Sequence, residues 1–228
     1  DWISKYGNYK KDTWNDNIIN KRIIAWISNS EIILNNVQKD FEKIFFESLI
    51  KQINFIKKSL KIVSHETTKI SSISAIMLSG LVFKEYFNNY SMGLKELKKI
   101  IDIHFDKDGF PKNRNSESLI IFLQYFILIK EWIKNAQEVI PDYLEEIIDK
   151  NLVCLNSFYN PSKKLPLFNG ATEKNLEEFF KYLNKLNYRF DKNLSFVGQM
   201  QIIKNKKITL YFDSGEPPVH YLSKDYQS

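Results

Sequence analysis

Glycine, proline, cysteine, alanine and arginine are all scarce in this chain of 228 residues. Seven Gly and six Pro are too few for a turn-dense all-β fold, whose short strands need frequent punctuation. The single cysteine, Cys154, excludes an internal disulfide framework and any cysteine-based zinc cluster. It lies in Asn151-Leu-Val-Cys-Leu155, an apolar stretch where a small buried hydrophobe is expected rather than a nucleophile. The longest apolar run, Leu119 to Ile129, is broken by Gln124 and falls far short of the ~20 residues that span a bilayer, so no membrane span is expected.

Arginine is the most informative scarcity. Only 3 of 33 basic residues are Arg, while 30 Ile, 30 Lys and 22 Asn fill much of the chain. A surface selected to bind phosphate enriches Arg, whose planar fork grips an oxyanion in two places. The formal charge of +6 therefore reads as AT-rich codon usage, and nucleic acid is not an expected partner. The chain also begins Asp1-Trp2 and stops at Tyr226-Gln-Ser228, which reads as an internal fragment of a longer protein. The missing targeting segment then carries no information about compartment.

What is present is a core. Hydrophobic residues make up 43% and aromatics 14%, which excludes disorder for most of the chain. From Trp14 to about Asn184 the apolar spacing is helical. Ile18, Ile19, Arg22, Ile23, Trp26 and Ile27 share a face behind the capping stretch Trp14-Asn15-Asp16-Asn17, and a long stripe follows from Phe41 to Leu60. The stretch Ser74-Ala-Ile-Met-Leu-Ser-Gly-Leu-Val-Phe83 is free of charge and rich in small residues, as an inner helix would be. Further helices are expected over Ser91–Phe105, from Asn115 or Ser116 to Gln137, from Pro141 to Leu155 and from Thr172 to Leu186. Loops are expected at Asp106–Asn115 and Tyr159–Pro166. Strands are expected at Val197–Lys204 and Lys207–Phe212.

Several stretches together resemble the heparinase II/III-like polysaccharide lyases. They are Arg22-Ile-Ile-Ala-Trp-Ile27, Ala75-Ile-Met-Leu-Ser-Gly-Leu81, Asp108-Gly-Phe-Pro-Lys-Asn-Arg-Asn115, Leu165-Pro-Leu-Phe-Asn-Gly170, and Tyr211-Phe-Asp-Ser-Gly-Glu-Pro-Pro218 with Ser223. The resemblance implies a mainly α fold: an incomplete α/α toroid of antiparallel helices over 1–192, then a β-hairpin that begins a β-sandwich over 193–228. It implies an acidic polysaccharide and the remainder of the β-sandwich as partners, and a periplasmic or cell-envelope setting; no cofactor is expected and no metal-ligating residue is singled out.

Such lyases cleave uronic-acid polymers by β-elimination. The C5 proton of a uronate is very weakly acidic, so donors must neutralise the sugar carboxylate as charge builds. A Tyr or His then removes the proton and a general acid protonates the leaving oxygen. The resemblance implies that these groups come from an Asn-His pair before the inner helix, a loop of the Asp-Gly-Gly-His type and the β-sandwich. In this chain the Gly-Asn-His positions fall on Glu66, Thr67 and Thr68, and the loop's second Gly and its His on Phe110 and Pro111. Ser118 stands where the lyases carry a Tyr, and Gln227 where a His often follows the Pro-rich turn. No catalytic residue is assigned, because Thr and Pro supply no base near neutral pH.

The expected substrate contacts are Arg114, Asn115, Arg22 and Trp26. Each has a plainer reading. Arg114 and Asn115 could form a helix cap with an exposed charge, and Arg22 and Trp26 a core indole beside a snorkelling or paired Arg. His104 reads first as a helix-end residue, His65 as a neighbour of the substituted Asn-His positions, and His220 as a loop residue without a visible partner. Asn169-Gly170 reads as a turn, Tyr86 and Tyr90 as core or rim aromatics, and the Lys57-Lys58 and Lys98-Lys99 pairs as solvated helix faces.

Overall fold

A computed structural model describes residues 2–160, 164–189 and 192–215. His220, Ser223, Gln227, the Pro-rich turn at 216–218 and the middle of the 159–166 loop lie outside the described residues. The helices are α1 (Trp2–Tyr6), α2 (Asp16–Ser28), α3 (Ser30–Ile33), α4 (Lys39–Ser59), α5 (Glu66–Val82), α6 (Phe87–His104), α7 (Ser116–Asn135), α8 (Asp142–Phe158) and α9 (Glu177–Lys185). Strands β1 (Phe196–Val197), β2 (Met200–Lys204) and β3 (Thr209–Asp213) form one antiparallel sheet in the order β1-β2-β3. Two compact units divide the chain: Asp1–Ile100 with Leu128–Val139, and Ile101–Ile127 with Ile140–Ser228.

In the first unit, the expected inner helix is inner in fact. Every residue of α5 from Ile70 to Gly80 is buried. A helix apolar all round can be covered all round only if its neighbours approach closely, and two glycines permit this. A Cβ on Gly80 would come within 2.3 Å of the Tyr90 backbone nitrogen, and one on Gly93 within 2.1 Å of Met77 Cγ. Against α5, helix α2 buries Ile19, Asn20, Ile23 and Ile27. The Asn20 side chain donates to Ser71 Oγ at 2.9 Å and to Ser72 Oγ at 2.7 Å, while its own Oδ1 has no hydrogen-bond partner among the described residues. Asn15 caps α2 by accepting from Asn17 N–H, as its position before the apolar stripe predicts.

The second unit is organised by the loop between α6 and α7. Asp106 Oδ1 accepts from the N–H groups of Asp108 and Phe110, both at 2.9 Å, and Phe105 bridges Pro111. Asn115 then starts α7, its Oδ1 accepting from Glu117 N–H at 2.8 Å and Ser118 N–H at 3.0 Å. Phe110 packs on Phe158 of α8 with ring centroids 4.7 Å apart. Asn151 of the same helix donates to the Gly109 carbonyl at 2.6 Å. The sheet is tied to the end of α8 by two donors. Tyr211 Oη donates to the Phe158 carbonyl at 2.6 Å, and Lys204 Nζ to the carbonyls of Asn156 and Tyr159. The lysine thereby satisfies carbonyls that a helix end leaves open.

Two expectations are corrected. The strand expected from Val197 to Lys204 is a tight hairpin, because Gly198 (φ 58°) and Gln199 (φ 63°) turn the chain between β1 and β2. Positive φ at both central residues is the geometry a two-residue hairpin favours. The helix expected from Thr172 begins only at Glu177. Thr172 is held instead by Glu117, whose Oε2 accepts from its N–H at 2.9 Å and its hydroxyl at 2.7 Å.

Candidate functional site

The expected substrate contacts fall into two groups. Arg114 and Asn115 belong to the second unit, where residues from three loops converge. Arg114 is 9% exposed, and its Nη1 pairs with Asp213 at the end of β3. Its Nε is buried with no hydrogen-bond partner among the described residues. Arg114 holds φ 54°, a left-handed conformation that turns the chain directly into the cap of α7. Gly215 packs closely against both the guanidinium and Gln199, since a Cβ on it would meet Arg114 Nη1 at 2.3 Å and Gln199 Oε1 at 2.6 Å.

Asn115 is both cap and staple. While Oδ1 caps α7, Nδ2 donates to the Asn169 carbonyl at 2.9 Å, and Asn169 Nδ2 donates back to the Arg114 carbonyl at 3.2 Å. Asn169 (φ 52°) and Gly170 (φ 78°) form the turn expected of that dipeptide. Ser116 Oγ donates to the Pro166 carbonyl at 2.6 Å, which fixes the same two loops.

Beside this frame, Ser116, Glu117 and Ile120 of α7 and residues from the 164–176 segment line a small depression open to solvent. Ile120, Leu165, Leu167 and Leu176 contribute apolar surface to it, and its charges are paired: Lys164 with Glu173 at 2.7 Å and Lys174 with Glu117 at 3.0 Å. Desolvation raises the Glu117 carboxyl, but the donors from Thr172 and Lys174 outweigh it and hold it below the ordinary glutamate value.

Arg22 and Trp26 belong to the first unit and meet around Trp2. The Arg22 guanidinium lies 4.1 Å from the Trp2 ring centroid, donates from Nε to Gln52 Oε1, and donates from Nη2 to the Thr13 carbonyl at 3.2 Å. Trp26 stacks on Phe45 at 5.2 Å and meets Trp2 edge-on at 5.5 Å. Burial lowers the Arg22 pKa to about 10. Helix α1, which carries Trp2, is not legible from residue spacing, because five residues are too few to show periodicity.

The positions where a lyase's catalytic groups are expected hold Thr67, Thr68 and Pro111. The Thr68 carbonyl accepts from Ser71 and Ser72, and Pro111 is buried. Thr67 Oγ1 lies 2.9 Å from Nδ1 of the exposed His65. His104 ends α6 and stacks on Phe122 at 6.4 Å. Tyr90 is buried, and burial first and Glu138 second push its hydroxyl pKa up. Cys154 is fully buried, its Sγ 3.3 Å from the Asp108 carbonyl; burial and the charges of Asp106 and Asp108 push the thiol up, which suits a core residue and not a nucleophile. No group of three or more His, Cys, Asp or Glu suited to a metal ion occurs among the described residues. No helix among them is long and apolar enough to cross a membrane.

Asp213, Gln199 and the Glu117–Thr172 pair were not singled out from sequence as individual residues. Asp213 did lie within a family-like stretch, and its match with Arg114 in another such stretch was the available signal.

The chain is mainly α and carries a small antiparallel sheet, and this fold is similar to part of the solved heparinases. No family model matches the sequence, and no curated protein matches it. Among solved structures, the crystal structure of heparinase III is similar with a TM-score of 0.68 at 17% identity, over 82% of this chain and 32% of that one. The heparan sulfate lyase HepC from Pedobacter heparinus is similar with a TM-score of 0.64 at 13% identity, again over 82% of this chain and 32% of that one. At such identities the likeness shows the fold, and the helical toroid-type architecture expected from the sequence is the one found. The chain spans about a third of the length of these neighbours.

Proposed function

We propose that the chain belongs to a protein that acts on a uronic-acid-containing polysaccharide, with β-elimination as the reaction. The observation that supports this reading is the fold shared with heparinase III and a heparan sulfate lyase over 82% of the chain. In this reading Asn115 and Asn169 form a rigid polar edge beside the entry to α7. Arg114 holds that edge through Asp213, and Arg22 and Trp26 offer a cationic and aromatic surface in the first unit. The ordered family-like stretches of sequence coincide with these same elements, which supports a common ancestry of the site's frame.

A second reading is favoured by one observation: Thr67, Thr68 and Pro111 stand where an imidazole or amide is expected, and none of them titrates near neutral pH. On that reading the protein binds or scaffolds an acidic glycan without turning it over. The experiment is common to both. The full-length protein is incubated with heparan sulfate, chondroitin sulfate, hyaluronan and alginate, and ultraviolet absorbance is followed for unsaturated uronate. A rise on any polymer supports elimination, whereas calorimetric binding without a rise supports the second reading. If Arg114→Ala leaves both binding and turnover untouched, neither version of the site survives.

A further inference from the structure

In the first unit, the segment between α1 and α2 packs on α4 through aromatic rings. Trp14 is buried and meets Phe55 edge-on at 5.4 Å, and its Nε1 donates to the Tyr6 carbonyl at 2.9 Å. The N–H groups of Thr13 and Trp14 donate to the Lys10 carbonyl at 3.1 and 2.8 Å, which folds the segment into a turn. Tyr9 rides on that turn. Its ring lies 5.9 Å from Phe55 at an interplanar angle of 35° and 6.2 Å from Trp14, yet it is 65% exposed. An aromatic ring backed by two others and open to water is a flat surface formed in advance of any ligand, so little ordering is needed on binding.

Exposed lysines stand around this ring. Lys10 and Lys11 follow Tyr9 in the turn, and Lys10 Nζ lies 5.0 Å from the Tyr6 ring centroid. Lys51 and Lys58 stand four residues before and three after the half-buried Phe55 on α4, so they share its face, one turn to either side. None of these lysines pairs with a carboxylate among the described residues. The turn carries one acid, Asp12, and the nearby Asp16 carboxylate is taken up by the Ser59 hydroxyl. Lysine is common throughout this chain, so the charge alone would mean little; the exposed ring at its centre singles the patch out.

We propose that Tyr9, Phe55 and these lysines form a subsite for acidic polysaccharide, with a sugar ring laid by its C–H face on Tyr9 and carboxylate or sulfate groups meeting the lysines. The proposal rests on the acidic-glycan reading above and adds a place of contact that lies wholly within the first unit. A folded protein is a poor occupant, because the apolar part is two rings, far below the roughly 800 Å² that each partner of a stable interface buries. Nucleic acid is a poor one too, because the patch holds no Arg, the residue whose fork matches phosphate.

Calorimetry of the full-length protein with heparan sulfate, chondroitin sulfate, hyaluronan and alginate tests the subsite. The variants are Tyr9→Ala, Tyr9→Phe and the double Lys51→Ala/Lys58→Ala. An equal change of charge on other sides of α4, Lys39→Ala/Lys43→Ala, is the control. Melting followed by circular dichroism confirms folding, and the exposed lysine pair keeps the test decisive if Tyr9→Ala folds poorly. Tyr9→Ala should weaken binding by about fivefold while Tyr9→Phe, which keeps the ring, binds as wild type. The Lys51/Lys58 double should also weaken it by about fivefold and flatten its salt dependence, with the control unchanged. Wild-type affinity in folded Tyr9→Ala or in the Lys51/Lys58 double overturns the subsite and leaves the glycan reading standing. Wild-type protein that binds none of the four polymers overturns both. Single-stranded DNA bound more tightly than any of them, with the same dependence on Tyr9, assigns the patch to nucleic acid and also overturns the proposal.

Discussion

Removing the Arg114–Asp213 pair should loosen the loop that enters α7, and the size of the effect can be worked from its burial. The Arg114 side chain is 10% exposed and that of Asp213 26% exposed. A fully exposed pair contributes about 0–1 kcal/mol, whereas removing one member of a fully buried pair costs about 3–5 kcal/mol. Discounting for the wetter Asp213, its replacement by Ala should cost about 2 kcal/mol. It strands a guanidinium whose Nε is already without a partner. Arg114→Ala should cost somewhat more, because it also removes the buried side chain against which Gly215 is packed. The double variant should fall short of the sum by about 1–2 kcal/mol, the coupling expected of side chains in direct contact. Arg114→Gly provides an internal control. It removes the same side chain but relieves a left-handed φ of 54°, so it should be about 1 kcal/mol less destabilising than Arg114→Ala. Urea denaturation of the five proteins measures these differences, and hydrogen exchange at 106–115 and 199–214 locates them. A coupling below about 0.5 kcal/mol, within the usual scatter for independent sites, would refute the reasoning.

Two further outcomes follow from packing and protonation. Gly80→Ala drives a methyl group to 2.3 Å from the Tyr90 backbone nitrogen, and neither helix can move aside cheaply. It should destabilise the first unit by about 1–3 kcal/mol, the usual range for overpacking, and a denaturation midpoint equal to wild type would contradict this. Glu117 has its pKa depressed by Thr172 and Lys174, so its stabilisation is fully present above the ordinary value of 4.5 and is lost as pH falls through the lower folded value. A pH series of melting temperatures should therefore show a loss below about pH 4.5 that Glu117→Gln largely abolishes. An unchanged acid limb in that variant would place the titration elsewhere.

Most of the helical architecture could be read from residue spacing, because α2, α4 and α8 each bury one stripe and expose the rest. The inner helix was legible for the opposite reason: its lack of charge left no face for water. The sheet's tight turn was harder to see, since Gln199 adopts positive φ without the Asn or Gly that signals such a turn. The late start of α9 was not legible at all, because Glu117 restrains Thr172 from 55 positions away. The site frame falls between these cases. Asn115 announced itself as a cap, but the staple to Asn169 and the pairing of Arg114 with Asp213 join residues 54 and 99 positions apart. Local pattern cannot reveal such partners; the scarcity of Arg marked one end of the pair, and a family-like stretch contained the other.

The Asn20 contact with Ser71 and Ser72 bears on how α2 and α5 find their alignment. Helix α5 is apolar or small on every side, so sliding α2 along it by one turn would exchange Ile for Ile at little hydrophobic cost. The amide of Asn20 marks the observed alignment, because there it reaches the hydroxyls of Ser71 and Ser72 and the Thr68 carbonyl together. Its Oδ1 has no hydrogen-bond partner among the described residues, so the contact positions the two helices without completing the amide's own set of hydrogen bonds. One polar side chain thus acts as a vernier mark on a surface of isoleucines that would otherwise accept several settings.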